Sequence, residues 1–260
     1  MSVIVPLFDA AAGADQWHRV AAPGGYEWWH VAAYDPTADI LISAHVFEGF
    51  PFDATYRRRC AAYRCRPTHN RPPRPAEFPC ARLTILQRDK VLLHNCRKSP
   101  IATDPVLHSA AGWSLNQFPQ LSELVFQSHA EMLSASGTIA LPSGHQSFQG
   151  IGRFDHRFST VPLGSGRRMR LEILEPRRVL LAEDGSYAQC DANGTQNLPD
   201  EILSMGKLRR SGGSPGYPDV IRFGGHELAR PVMLTRGREY VELAYRSTSA
   251  VAVAEVVEVS

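Results

Sequence analysis

The sequence is short of the features that mark several large classes of protein. Its five cysteines, Cys60, Cys65, Cys80, Cys96 and Cys190, are odd in number and irregularly spaced, and no two form a C-x-x-C pair. Zinc sites and disulfide frameworks need paired spacings, so both are disfavoured and free thiols are expected. The ten histidines include no H-x-H or H-E-x-x-H, and no metal is expected. No run approaches the roughly 20 apolar residues of a membrane helix, so stable membrane insertion is not expected. Met1–Phe8 lacks a basic stretch and is interrupted by Pro6, which argues against a signal peptide and for a cytoplasmic protein. A net charge of +2 gives no general footprint for nucleic acid. Gly164-Ser165-Gly166 and Gly212-Gly213-Ser214 fit neither a phosphate loop nor a dinucleotide fingerprint, and no G-x-S-x-G elbow marks a serine hydrolase. No cofactor is therefore expected.

What is present is strand. With 43% hydrophobic and 21% charged residues the composition is that of a globular chain, and 260 residues suffice for two domains of roughly 100–150 residues each. Tyr26–Tyr34, the turn Asp35–Asp39 and Ile40–Phe47 read as a hairpin, with Ile40, Ile42, Ala44 and Val46 on one face. Cys80–Gln87 and Val91–Cys96 flank Arg88-Asp89-Lys90 as a second hairpin. Leu124–Phe126, Met132–Leu141, Arg168–Leu174, Arg178–Ala182, Tyr187–Cys190, Glu201–Arg209, Val220–Phe223, Pro231–Thr235, Tyr240–Tyr245 and Val251–Val259 are further strands. Many short strands with local pairing predict an all-β barrel or sandwich rather than βαβ units. Glycine density rises over Gly144–Gly152, which places a domain boundary between residues 147 and 148, giving domains 1–147 and 148–260.

One segment departs from this pattern. Asp53–Arg66 holds Arg57, Arg58, Arg59, Arg64 and Arg66 with Tyr56, Cys60 and Tyr63 at helix-compatible spacing, so a short helix is expected, and it runs into five prolines between Pro67 and Pro79. This Arg/Pro-rich insertion is either an anion-binding lid or a solvated helix face.

Gly25-Tyr26-Glu27-Trp28-Trp29-His30 resembles the E-W-W-Y-F-D signature of the carotenoid 1,2-hydratase/AttH lipocalin-like family, which also includes fungal Diels–Alderases. Gly150-Ile151-Gly152-Arg153-Phe154-Asp155-His156-Arg157-Phe158 resembles that family's G-x-G-Y-x-D-x-x-W block, and Gly237–Leu243 its terminal strand. The resemblance implies two consecutive lipocalin-like antiparallel barrels or half-barrels and an apolar pocket for a hydrophobic small molecule. His30 replaces the family's Tyr, Ala32 its Asp, Arg153 its second-motif Tyr and Phe158 its Trp.

Protonating an alkene requires a carboxyl raised by desolvation, with aromatic faces near the resulting cation. Asp155 and Glu27 are the carboxyl candidates and His30 an imidazole acid–base candidate; Trp28, Trp29, Tyr26, His156, Arg153 and Phe158 are the expected substrate-binding residues. The competing reading pairs Glu27 and Asp155 with arginines at a domain junction. Adjacent strand residues face opposite ways, so one of Trp28 and Trp29 points into a barrel and the other away from it. Two functions stay open. One is a cofactor-independent isomerase, cyclase or hydratase of a polyene-, terpenoid- or polyketide-like substrate; the alternative is a non-catalytic carrier of an apolar metabolite.

Overall fold

The computed structural model describes residues 17–129, 132–163, 166–174, 178–183, 186–190, 204–205, 207–210, 214–223, 226–247 and 250–259. Among the described residues the fold is all-β apart from one helix, α1 (Ala54–Cys65), and two 3-10 turns at Pro75–Glu77 and Pro119–Leu121. No helix among the described residues is long and apolar enough to cross a membrane. Residues 201–203 of the expected strand Glu201–Arg209, the stretch Met1–Phe8, and residues 164–165 and 212–213 lie outside the described residues.

Nine strands form the first sheet: β1 (Tyr26–Asp35), β2 (Ile40–Glu48), β3 (Cys80–Gln87), β4 (Lys90–Arg97), β5 (Val106–Ser109), β6 (Gly112–Leu115), β7 (Glu123–His129), β8 (Met132–Leu141) and β9 (Gly144–Ser159). Their spatial order is β4-β3-β2-β1-β9-β8-β7-β6-β5. Along the chain there follow β10 (Gly166–Ile173), β11 (Arg178–Glu183), β12 (Ser186–Cys190), β13 (Ser204–Met205), β14 (Leu208–Arg209), β15 (Tyr217–Pro218), β16 (Val220–Phe223), β17 (His226–Arg236), β18 (Tyr240–Arg246) and β19 (Val251–Val259). The second sheet runs β12-β11-β10-β19-β18-β17-β16-β13, and β14 pairs with β15 separately. Both large sheets follow one scheme, a meander whose first strand also bonds to its last. That topological repeat has no counterpart in residue identity, because a meander constrains hydrophobic alternation and turns rather than particular side chains.

The β1–β2 hairpin shows how local chemistry sets this arrangement. Asp35 Oδ1 accepts from the amides of Thr37 (2.8 Å) and Ala38 (3.0 Å), and Asp39 adopts φ 53°. Asp tolerates this left-handed conformation better than a β-branched residue would. The closed turn then fixes a register in which Glu27 faces Glu48, Trp28 faces Phe47, Trp29 faces Val46 and His30 faces His45. Trp29, Val31 and Ala33 turn inward with Ile40, Ile42, Ala44 and Val46, the face expected from sequence, and join the first core. Trp28, His30 and Ala32 turn outward, yet they too are buried. The second sheet covers them: Ala32 and Leu41 share a core with Leu234, Ala244, Val251 and Val253. A strand covered on both faces loses its polar alternation, which is why β1 reads as an almost unbroken apolar run.

The expected boundary at 147/148 falls inside β9, which stays in the first sheet to Ser159 and pairs with both β1 and β8. The glycines mark close approach of strands instead of a linker. A Cβ at Gly150 would stand 2.5 Å from the Tyr34 carbonyl oxygen, and one at Gly152 closer still to that of Ala32. The changeover between sheets lies between Ser159 and Gly166.

The insertion forms the expected helix. Asp53 caps it by accepting from the amides of Thr55 (2.8 Å) and Tyr56 (3.0 Å), and it ends before Pro67, whose ring disfavours helical backbone in the preceding residue. Tyr56 and Cys60, one turn apart, are its buried face. Arg58, Arg59, Arg64 and Arg66 are exposed, while Arg57 pairs with Glu239 of the β17–β18 turn.

Candidate functional site

Strand alternation divides the expected site residues into two groups on opposite faces of β1. Trp28, His30, Arg153 and Asp155 face the second sheet. Glu27, Trp29, His156 and Phe158 face the end of the first sheet's interior. Tyr26 is half-buried at the edge of the first group, packed against the cluster of Trp28, Phe47, Phe50, Cys80 and Tyr240.

The group between the sheets is a dense buried network centred on Glu242 of β18. Its carboxylate accepts from the Ser43 hydroxyl at 2.6 Å and faces His45 Nε2 at 2.9 Å and His30 Nε2 at 3.2 Å. Trp28 Nε1 donates to His45 Nδ1 at 3.0 Å. An indole N–H can only donate, so His45 Nδ1 is the bare nitrogen and the ring proton sits on Nε2, toward Glu242. By the same logic the Arg153 guanidinium, 3.2 Å from His30 Nδ1, puts the His30 proton on its own Nε2. The two rings stack in parallel, 4.0 Å apart and inclined by 6°. Burial and the neighbouring His45 ring lower the His30 pKa to about 4, so it is neutral at physiological pH. Burial works against the Glu242 charge, but His45 and His30 outweigh it and hold the carboxyl well below the usual range.

Asp155 stands behind this pair and is not the raised carboxyl expected from sequence. It pairs with Arg153, with Arg157 at 2.9 Å and with Arg170 at 3.1 Å. Three guanidiniums overcome its burial penalty and hold it ionised far below the ordinary aspartate value, which removes it as a proton donor. Glu255 of β19 completes the layer, accepting from Arg157 at 2.8 Å and from the Tyr240 hydroxyl at 3.1 Å. Beside the network lies a box of aromatic rings. Trp28 contacts Phe47 at 4.8 Å and meets Tyr240 and Phe52 edge-on at 5.7 and 6.2 Å, while Phe52 stacks on Tyr240 at 4.9 Å. Arg157 lies over the Trp28 ring, 4.6 Å from its centre.

Glu27 pairs with histidines, not with arginines. Its Oε1 accepts from the His18 amide at 2.6 Å and faces His18 Nδ1 at 3.2 Å and His156 Nε2 at 2.9 Å. His156 stacks on Trp29 at 4.8 Å and His18 on Phe158 at 3.8 Å. Glu48 lies alongside and accepts from Trp17 Nε1 at 2.8 Å, with burial pushing its carboxyl upward.

Trp29, Trp113, Phe126 and Phe148 pack together in the first sheet's interior. A cleft of about 440 Å³ opens elsewhere, between Asp89 and residues of the second half including Arg209, Asp219 and Arg230, away from both motif groups.

Sequence reasoning missed Ser43, His45, Tyr240, Glu242 and Glu255. Two signals were available. The hairpin register sets His45 beside His30, and Glu242 and Glu255 are isolated charges inside the apolar runs Val241–Leu243 and Val253–Val256.

No family model matches the sequence. One stretch of 40 residues is 45% identical to hydroxyneurosporene dehydrogenase of Chlorobaculum tepidum, taking in 15% of this chain and only 10% of that protein. Kievitone hydratase of Nectria haematococca superposes with a TM-score of 0.50 over 98% of this chain and 94% of its own, at 9% identity. An AttH protein of Nitrosomonas europaea gives 0.48 at 11% identity, over 91% of this chain and 92% of its own. The protein CghA gives 0.43 at 10% identity, over 92% and 89%. The chain thus shares the fold of kievitone hydratase, a lipocalin-like fold of the kind its two motifs imply.

Proposed function

We propose that this protein is a cofactor-independent enzyme of hydratase or cyclase type, acting on an apolar, unsaturated small molecule held against the aromatic box between the two sheets. The observation that supports this reading is the direct contact between that box and the Trp28–His45–Glu242 chain. Glu242 is an ionised, desolvated carboxylate, oriented by His45 through the nitrogen that bears the ring proton, and it supplies a fixed negative charge opposite positive charge developing on a substrate. The buried Tyr240 hydroxyl keeps its proton, because burial and the charges of Glu255 and Glu242 push its pKa well up; that proton goes to Glu255, which leaves the phenol oxygen to accept from the polar end of a substrate. The faces of Trp28, Phe47, Phe52 and Tyr240 suit a polyene and would shield positive charge developing on it. Holding one folded conformer lowers the barrier to an intramolecular cyclisation without nucleophile or metal. Kievitone hydratase, which shares the fold, is by name a hydratase, in keeping with this class.

The experiment is incubation of the purified protein with an organic extract of its host, with mass spectrometry of the solution and of molecules retained on the protein. A species consumed or formed by the wild type and by Phe158→Ala, but not by Glu242→Gln or Tyr240→Phe in folded form, is the expected result. Turnover that survives in folded Glu242→Gln removes the electrostatic role assigned to Glu242. An apolar molecule retained unchanged makes the protein a carrier.

A further inference from the structure

We propose that His18, Glu27 and His156 form a binding site for a divalent first-row transition ion of the zinc or iron(II) type. The site lies on the opposite face of β1 from the aromatic box and goes beyond the enzymatic reading. Its donors come from three separate parts of the chain: the segment before β1, β1 itself, and β9. That separation explains why no histidine motif betrays it.

Geometry is the first support. Ligands bonded to one ion at roughly 2.0–2.2 Å sit about 3 Å apart when they occupy adjacent positions. His18 Nδ1 and His156 Nε2 stand 3.2 and 2.9 Å from Glu27 Oε1. Their rings are tilted by 43° with centres 5.2 Å apart, so their lone pairs can converge. The His30, His45 and Glu242 donors are comparably close, but those two rings stack in parallel, 4.0 Å apart and inclined by only 6°, so their lone pairs do not converge on an ion. Stacking of His156 on Trp29 and of His18 on Phe158 fixes both ring planes of the proposed site in advance.

The second support is an unfilled valence. Glu27 is wholly buried, and its Oε2 has no hydrogen-bond partner among the described residues. Its polar contacts are two imidazoles and one amide, with no fixed cation among them. Glu48, its register partner on β2, brings a second buried carboxyl to the same place. A divalent ion would satisfy Oε2 and offset that negative charge. Two imidazoles and a carboxylate, with no thiolate, suit zinc or iron(II) better than copper(I), magnesium or calcium. His18 is about one-third exposed and offers the entry path, whereas His156 and Glu27 lie beneath it.

The test uses the full chain, stripped by chelator and titrated with Co²⁺, followed by visible absorption, and then with Zn²⁺, followed by calorimetry. One ion per chain is expected, with zinc displacing cobalt and raising the unfolding midpoint. His18→Ala should weaken binding on the order of 100-fold while leaving the circular dichroism unchanged. His69→Ala, at an exposed histidine elsewhere, should leave affinity as in the wild type. Absence of a cobalt spectrum and of a saturable zinc isotherm overturns the site. So does affinity that survives His18→Ala, or that falls equally in His69→Ala. Glu27→Gln should also abolish binding if it folds; His18 lies at the surface, so its variant decides the matter if Glu27→Gln does not. Because the readout is metal binding, its failure is distinct from failure of the proposed turnover.

Discussion

At the scale of single residues, ionic partners decide what each buried group can do. Asp155 and Glu242 are both anions in the same inter-sheet layer, but Asp155 is clamped by three arginines whereas Glu242 faces only a hydroxyl and two imidazoles. Moving the chemical role from Asp155 to Glu242 follows from that difference. Asp155→Asn leaves three buried guanidiniums with one acceptor charge fewer, and breaking such a buried arrangement typically costs about 3 kcal/mol or more. We therefore expect a large drop in the urea midpoint of Asp155→Asn. A change under about 0.5 kcal/mol, the level of an ordinary surface substitution, would mean that the guanidiniums find other partners. Glu242→Gln, by contrast, keeps its shape and its contact with Ser43 and is expected to lose turnover before it loses the fold.

At the scale of elements, the long strand β9 and the helix α1 make separable demands. Gly152 lets β9 lie against the Ala32 carbonyl, and a methyl group there meets backbone that cannot swing aside. Gly152→Ala should either prevent folding or split β9 from β1, read as loss of amide-exchange protection along Val31–Ala33. The same substitution at Gly144, where an added Cβ meets nothing within 4 Å, still carries the strain of φ 125° and should be markedly milder. On α1, Asp53 satisfies two otherwise unpaired helix amides and also binds Lys98 at 2.8 Å. Asp53→Ala should destabilise the protein by about 1 kcal/mol, the usual contribution of a helix cap. A loss no greater than that of Arg64→Ala would contradict the capping role.

At the scale of the whole molecule, the two sheets are joined by a titratable layer, so their association depends on pH. Folding lowers the His30 pKa from 6.5 to about 4. Its neutral form is the one the fold accepts, so stability is whole above pH 6.5 and falls as the pH drops toward 4, by about 3 kcal/mol at the full shift. Glu242, Asp155 and Glu255 are held below the carboxylate range, so their share persists above that range and is lost only in stronger acid. The urea midpoint should be flat near neutrality, decline below about pH 6.5, and decline again in acid. His30→Gln should flatten the first decline and leave the second. A wild-type midpoint that holds constant between pH 7 and 5 would refute the burial of a neutral His30 in this layer.

Much of the fold was determined by sequence alone. Alternating or continuous apolar runs bounded by turn residues located most of the strands, the spacing of Tyr56, Cys60 and Tyr63 ahead of the proline run located α1, and the two motifs gave the lipocalin-like class. These features are local, because a hairpin's turn fixes its register and its register fixes which side chains share a face. The sites were only partly legible. Glu27, Trp28, Trp29, His30, Asp155 and His156 stood out as motif members, but which face each one served depended on what packs outside β1. Tertiary structure alone decided that Arg170 and Glu255 reach Asp155 and its neighbours, that Glu242 meets His45 across 197 positions of sequence, and that His18 meets His156 over Glu27. Charge state in a buried layer is set by partners brought together through space, and the pairing of one sheet with another leaves no periodic trace in the chain.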